Sequence, residues 1–372
     1  MKGGNTADPV RFEMHVHACI ACLMQALQKT ESAKGLKLNE VDMPSPAAGE
    51  VLLRVHSTGV CGTDLHIDAW TASYHFLQAA LPVTVGHEFS GEIVARGEGA
   101  EHLPLGQLVA VRPSVTCGRC PSCSAGDFDA CTTRRGIGVM RHGGFAEYVA
   151  VPLRNCVAIP HGVDPEVAAL AEPLSVSFEA VRTGNVQPGD RVLILGPGNI
   201  GQGIALFARA AGAAQVVVAG HGDAARLEVL RSMGFEDLLD FEGQDIDEAL
   251  AAYTKQALFD VVIEATGAAA VLAPALRALK THGVLVIAGI HSAPVPLDLT
   301  ALVRRHQQLR GSYRTPERCW LEVVAFMQTH QDQLRLMITH RVPLAQAGQG
   351  FDMARARLAS KVLIQPGAGS AS

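Results

Sequence analysis

The chain has 372 residues, 48% hydrophobic and 18% charged, with a formal net charge of −5 at pH 7. That length suggests two or three domains with room for buried cores, and the composition excludes a disordered chain. No basic surplus points to nucleic acid or an anionic membrane, and no apolar run reaches the roughly 18 residues of a spanning helix, so a small molecule is the expected partner.

Taken in order, the chain opens with a mostly apolar stretch at 18–27. Asp8 and Glu13 stand where a signal peptide carries basic residues, and no small-residue cleavage site follows, so the chain reads as cytoplasmic. Residues 24–29 look like a first strand, which leaves 1–23 as an N-terminal extension. Short strand-like runs follow at 50–56, 91–95 and 107–111, separated by Gly and Pro turns, as in a β-rich domain. From about residue 165 the texture changes. Strands at 191–195, 215–219, 260–264 and 283–289 alternate with helical stretches ending near Ala211 and Met233. These strands are continuously apolar, as in a parallel sheet covered on both faces. Beyond about residue 314 the pattern is helical again, and it closes on a strand-like run at 361–364.

In the β-rich half, two short pieces stand on Gly-flanked turns: Gly59-Val-Cys61-Gly-Thr63-Asp64-Leu-His66 and Gly86-His87-Glu88-Phe-Ser-Gly91. A catalytic zinc takes about three protein ligands and keeps one position open. Cys61 and His87 suit that role, with Glu88 or the isolated Glu172 of Ala171-Glu172-Pro173-Leu174 as a third. Singly, each has a blander reading: a small buried hydrophobe, a hydrogen-bonded structural histidine, a solvated turn.

Four of the nine cysteines form Cys117-x2-Cys120-x2-Cys123-x7-Cys131, with Gly118, Pro121 and Gly126 as turn residues between them. A closed set of four thiolates in one loop suits a structural zinc, with an iron–sulfur cluster as the rival. Cys19 and Cys22 share the C-x2-C spacing but have no partner pair.

Gly196-Pro-Gly198-Asn199-Ile200-Gly201 follows an apolar strand and opens a helix, the context a dinucleotide fingerprint requires. Gly196 permits the tight turn, Gly198 the approach of a pyrophosphate and Gly201 close helix–strand packing. Asn199 and Ile200 begin the helix whose backbone donors meet the phosphates. The next strand ends in Gly220, where NAD-selective sites carry an acid. His221 and Arg226 suit a 2′-phosphate and Asp223 a ribose, so both NAD and NADP stay open.

The order of these pieces resembles that of the zinc-containing medium-chain alcohol dehydrogenases, and Glu172-Pro-Leu is similar to the sorbitol (polyol) and threonine dehydrogenase branch. The resemblance covers nearly everything from Met24 onward. It implies an α/β architecture: a GroES-like β-barrel catalytic domain over 24–174 with a structural zinc lobe, a Rossmann doubly wound parallel-sheet domain over 175–312, and a return to the catalytic domain over 313–372. It implies two Zn2+ per chain, one held by Cys61, His87 and a glutamate (Glu88 or Glu172), the other by the four-cysteine lobe. It implies that Thr63 passes the substrate proton toward solvent with His66 nearby, that Asp64 orients a ligand, and that Arg314 lies near the cofactor. The implied reaction moves hydride from a secondary alcohol (a polyol, threonine or a vicinal diol) to NAD or NADP, in a homodimer or homotetramer. Residues around Trp70, Tyr74 and His75 are expected to line the substrate pocket. Two other readings use the same scaffold: a non-catalytic NAD(P)-binding protein, and a zinc-independent quinone or enone reductase.

Overall fold

The computed structural model describes residues 23–367. Residues 1–22 of the expected extension, with Cys19 and Cys22, lie outside the described residues. The first strand, Leu23–Lys29, starts one residue earlier than the sequence pattern suggests and pairs antiparallel with Lys37–Asp42.

The larger β-sheet of the first half runs, in spatial order, Cys156–Ala158, Leu108–Val111, Glu88–Arg96, Glu50–Gly59, Lys361–Gln365 and Ile338–Pro343, with Tyr148–Pro152 also paired to Glu50–Gly59. Along Glu50–Gly59, Val51, Leu53 and Val55 point into a core with Phe89, Ile93 and Val109, while Arg54 and His56 are exposed. This is the period-2 alternation of a half-buried strand. The last strand inserts beside the third, with Leu363 opposite Gly59 and Ile364 opposite Thr58. Both ends of the chain therefore build one sheet, and Lys361 arrives beside residues some 300 positions earlier, at Val60 and Glu88.

Between these two contributions lies a six-stranded parallel sheet: β1 (Arg191–Leu195), β2 (Gln215–Gly220), β3 (Leu238–Asp240), β4 (Phe259–Glu264), β5 (Leu279–Ile287) and β6 (Gln308–Gly311). Its order is 3-2-1-4-5-6, the Rossmann arrangement. The continuous apolar runs have a direct cause. Val192 and Ile194 of β1 pack into one core with Leu174, Ile204 and Phe207, while Leu193 and Leu195 pack into another with Leu250, Leu272 and Leu276. Each such side chain removed from water contributes roughly 1.5–3 kcal/mol. Strand order reverses between β1 and β4, and ligands bind outside the carboxyl ends of strands at such a switch point.

The two parts are tied across their junction. The Ser360 hydroxyl donates to Gln202 Oε1 at 2.5 Å, and Arg226 Nε donates to the Ala359 carbonyl at 3.0 Å. Among the described residues no helix is long and apolar enough to cross a membrane.

Candidate active site

The strand Glu50–Gly59 ends at the turn that carries Cys61, and Cys61 caps the helix Gly62–Ala69. The neighbouring strand Glu88–Arg96 begins just after His87. Pairing of the two strands places Gly59 opposite Glu88 and so brings the two Gly-flanked turns together. The donor atoms of Cys61, His87 and Glu88 all lie within 4.8 Å of one another.

Asp64 braces the group. Its Oδ2 accepts the Cys61 N–H at 2.9 Å, and its Oδ1 lies 3.7 Å from His87 Nδ1. Both Asp64 Oδ1 and His87 Nδ1 are buried without a hydrogen-bond partner. The carboxylate therefore faces Nδ1 and leaves Nε2 as the nitrogen for a metal, the usual carboxylate–histidine arrangement. Burial opposes charge on His87, but Cys61 and Asp64 outweigh it and hold the imidazole well above its ordinary value. Burial, then Glu88, pushes the Cys61 thiol up. A dication supplies the opposite charge that such a thiol and imidazole require for ligation, so the donor set fits zinc.

The two candidate glutamates differ in their surroundings. Glu88 is buried, and its Oε2 accepts from Lys361 Nζ at 2.5 Å, while the same ammonium donates to the Val60 carbonyl at 3.1 Å. Gly59 permits this approach, because a Cβ there would collide with the Glu88 carboxylate. Lys361 is 3% exposed and was not singled out from sequence. Its only signal was a lysine heading an otherwise apolar strand. Glu172 sits in the first turn of the helix Ala171–Gly184, outside the 4.8 Å group. Burial pushes its carboxyl up to about 7, against the pull of His87 and with the push of Glu88.

On the other side of Cys61, the Tyr74 hydroxyl donates to Thr63 Oγ1 at 3.2 Å. The His66 ring stacks on Tyr74 with centroids 6.0 Å apart, and His66 is exposed. Trp70 and His75 stack beside them at 5.4 Å. Tyr74 thus stands between Thr63 and His66, a link that the sequence pattern did not reveal.

Cys117, Cys120, Cys123 and Cys131 form a second group with sulfurs within 4.8 Å. Cys117 Sγ lies 3.9 Å from Cys123 Sγ and 3.7 Å from Cys131 Sγ. Four sulfurs about 2.3 Å from a central zinc would be spaced at roughly 3.8 Å, which these two distances match. Hydrogen bonds from the Thr133 side chain and from the backbone at Arg119 and Cys120 draw Cys117 down to about 5, which makes its thiolate available near neutrality.

At the carboxyl end of β1, Gly196 has φ +110°, and a Cβ there would press on Thr266 Cγ2 at 2.8 Å. A Cβ at Gly201 would collide with the Gly196 carbonyl, whereas one at Gly198 would meet nothing nearer than the Arg226 guanidinium at 4.0 Å. The three glycines therefore do what the fingerprint asks: turn, packing contact and open approach. A cavity of about 380 Å³ lies over this turn, walled by Gly196, Gly198, Gly220, His221, Arg226 and Arg357. Asn199, Ile200 and Gly201 stand behind it in the first turn of the helix Asn199–Ala210. An acid at 220 has no room, since a Cβ would meet Pro197 at 2.8 Å and Asp223 at 3.0 Å. The Asp223 carboxylate is occupied by Arg226 at 3.2 Å and by the His221 N–H at 3.3 Å. Arg314, expected near the cofactor, lines a cavity that Glu172 also walls.

Residues 47–161 match the alcohol dehydrogenase GroES-like domain, and residues 199–329 match the zinc-binding dehydrogenase domain. The L-threonine 3-dehydrogenase of Saccharopolyspora erythraea is 35% identical over 344 residues, covering 92% of this chain and 98% of that one. The L-galactonate-5-dehydrogenase of Escherichia coli K12 is 34% identical, covering 87% and 93%. A Sinorhizobium meliloti 1021 protein solved with NADP superimposes with a TM-score of 0.84 at 30% identity, covering 93% of this chain and all of that one.

Proposed function

The chain belongs to the zinc-containing medium-chain alcohol dehydrogenase family, and we propose that its cleft oxidises a secondary alcohol on a small polar substrate to a ketone, with NAD or NADP as hydride acceptor. The observation that carries this reading is the convergence of Cys61, His87 and Glu88 within 4.8 Å, braced by Asp64. The named relatives support the substrate class, since threonine and galactonate are both small polar molecules with secondary hydroxyls.

When bound, zinc supplies a Lewis acid for the alcohol oxygen and the nicotinamide supplies the hydride acceptor. Cys61 and His87 hold the metal with Glu88 or Glu172, directly or through water. Thr63 Oγ1 takes the alcohol proton while its own hydroxyl proton passes to the Tyr74 oxygen, which requires the Tyr74 hydroxyl, the donor in this structure, to turn and release its proton to water beside exposed His66. A positioned proton acceptor of this kind contributes about 10²–10⁴-fold. Residues 24–174 with 313–372 form the catalytic domain and 175–312 the cofactor domain. The helix Ala171–Gly184 runs across that boundary and carries Glu172. Closure of the two domains excludes water from the reacting carbon.

The four-cysteine lobe holds a second zinc that braces the fold. Edge strand β6 has an unpaired side, and Ile290, Leu299 and Val303 nearby are 63–70% exposed, a surface suited to a homodimer or to the dimer unit of a homotetramer. Every cysteine among the described residues is free, which suits a reducing cytoplasm. Neither a cofactor-binding scaffold nor a zinc-free reductase has a use for both ligand sets.

The test is the absorbance of reduced nicotinamide from zinc-loaded protein across polyols, threonine, butanediols and primary alcohols, with NAD and with NADP. A rate on a secondary alcohol well above that on primary alcohols is expected. Turnover of a quinone or enone without zinc would replace this reading.

A further inference from the structure

A second concentration of charge lies where the cysteine lobe meets the β-rich domain. An open cavity of about 750 Å³ occupies that junction, and no residue of the Cys61, His87 and Glu88 group or of the nucleotide turn walls it. His102, Arg119, Arg135, Arg141 and Arg154 line it, and Glu50 is the one acid among its described walls. The whole chain has a net charge of −5, so this gathering of arginines is a local departure from its average.

The backbone brings the guanidinium groups together. Ser114–Val115 pairs antiparallel with Arg135–Gly136, which sets Arg135 opposite Val115. Arg154 donates to the carbonyl of the next residue, Thr116, and its guanidinium lies 3.6 Å from where a Cβ on Gly118 would stand, beside Arg119. Arg135 donates to the Met140 carbonyl at 3.1 Å. Arg141 is neutralised by Glu50 at 2.5 Å. Arg119, Arg135 and Arg154 have no carboxylate partner among the described residues, and the Arg119 side chain bonds to nothing there. A guanidinium carries five donors, so one bond to a carbonyl leaves most of them free. Three uncompensated cations around one concavity also repel one another. A ligand with several anionic oxygens fills the donors and removes the repulsion at once.

We propose that this cavity binds a small polyanion, a molecule with two or more phosphate or carboxylate groups, and that binding ties the cysteine lobe to the domain beneath it. Arg119 engages the ligand from the lobe, Arg135 from the strand that follows the lobe, and Arg154 from the opposite wall. The cavity falls in the range of small-molecule sites, roughly 300–1,000 Å³. A small ligand suits it better than an acidic protein segment, because the arginines gather at one concavity and not along a face.

The experiment uses zinc-loaded protein saturated with cofactor, so that the nucleotide turn is filled. Fructose bisphosphate, tricarballylate, inorganic sulfate and neutral fructose are titrated by calorimetry and by thermal melting. The bisphosphate or the tricarboxylate is expected to bind at least about tenfold more tightly than sulfate, to lose affinity at high salt and to raise the melting temperature. Which of the two binds more tightly separates phosphate from carboxylate as the natural source. Arg119→Gln and Arg135→Gln are each expected to weaken binding by roughly tenfold, the loss of one charge-assisted pairing. In ligand-free protein Arg119→Gln is expected not to lower the melting temperature, because it removes a repelling charge that holds nothing in place; an arginine with a merely structural role would lower it. Sulfate that binds as tightly as the polyanions, or binding unchanged in both variants, overturns the site. So does a polyanion that binds only by displacing the cofactor, or whose apparent affinity tracks zinc loss in the same sample. A polyglutamate peptide that binds far more tightly than either small polyanion overturns the small-molecule class and reassigns the cavity to an acidic protein segment.

Discussion

The two cysteine-bearing clusters are built in opposite ways. The lobe takes all four cysteines from residues 117–131, with Cys117 Sγ 3.9 and 3.7 Å from the Cys123 and Cys131 sulfurs and the backbone N–H groups of Cys117 and Cys120 donating to the sulfurs of Cys131 and Cys117. The other cluster draws Cys61, His87 and Glu88 from the adjoining ends of two paired strands, with Lys361 from the far end of the chain bonded to Glu88 and Glu172, on the helix Ala171–Gly184, outside the group. The first is closed on itself. The second is buried and holds mixed charges, and Glu172 beside it walls a cavity of about 280 Å³. A closed set of identical ligands stabilises, while an open set with unequal ligands leaves room for chemistry.

That contrast can be broken by substitution. The largest effect is expected at Thr63. Thr63→Val should lower kcat by about 10²–10⁴-fold with the metal content and melting temperature unchanged, and Tyr74→Phe should cost less, because water can replace its hydroxyl. A Thr63→Val enzyme with wild-type kcat would remove the proposed proton path. Next comes Lys361→Met, which leaves the Glu88 carboxylate buried and unpaired. Denaturant unfolding should show a loss of about 3–5 kcal/mol, largely recovered when Glu88→Gln is added.

Cys123→Ser tests the lobe. It should release one zinc and lower the melting temperature by on the order of 5–10 °C, while the folded fraction keeps most of its turnover. Equal damage to kcat would mean that the lobe is not separable from the chemistry. The smallest effect concerns pH. In zinc-free protein Glu172 has a folded value of about 7 against an ordinary 4.5. A raised carboxyl value favours the protonated folded state, so its contribution is complete below about 4.5 and is lost as pH rises through about 7. Thermal melts of stripped protein should lose stability across that window, and Glu172→Gln should flatten the slope.

The same contrast explains what was legible in the sequence. The lobe and the dinucleotide turn are local, so spacing within a few residues carried them: Cys117 to Cys131 and Gly196 to Gly201. The parallel strands were legible because burial on both faces makes them apolar throughout, as with Val192 and Leu193 in opposite cores. The partnership of Lys361 with Glu88 was not, since it depends on Leu363 pairing with Gly59 across some 300 residues. The bond from Tyr74 to Thr63 was not legible, because its reach depends on how the segment Ala72–Ala80 folds back over the helix Gly62–Ala69. Arg314 was placed by resemblance alone, since nothing in its local sequence marks the cavity that it lines with Glu172.

The most direct measurement is the zinc content of wild type and Cys61→Ser by elemental analysis, with nicotinamide reduction read on the same samples. The account predicts two zinc ions per wild-type chain, one in the variant, and a loss of activity of at least about a thousandfold with the lobe zinc retained. A variant that keeps both metals, or that keeps its turnover with one, would contradict the assignment of Cys61, His87 and their glutamate as the catalytic centre.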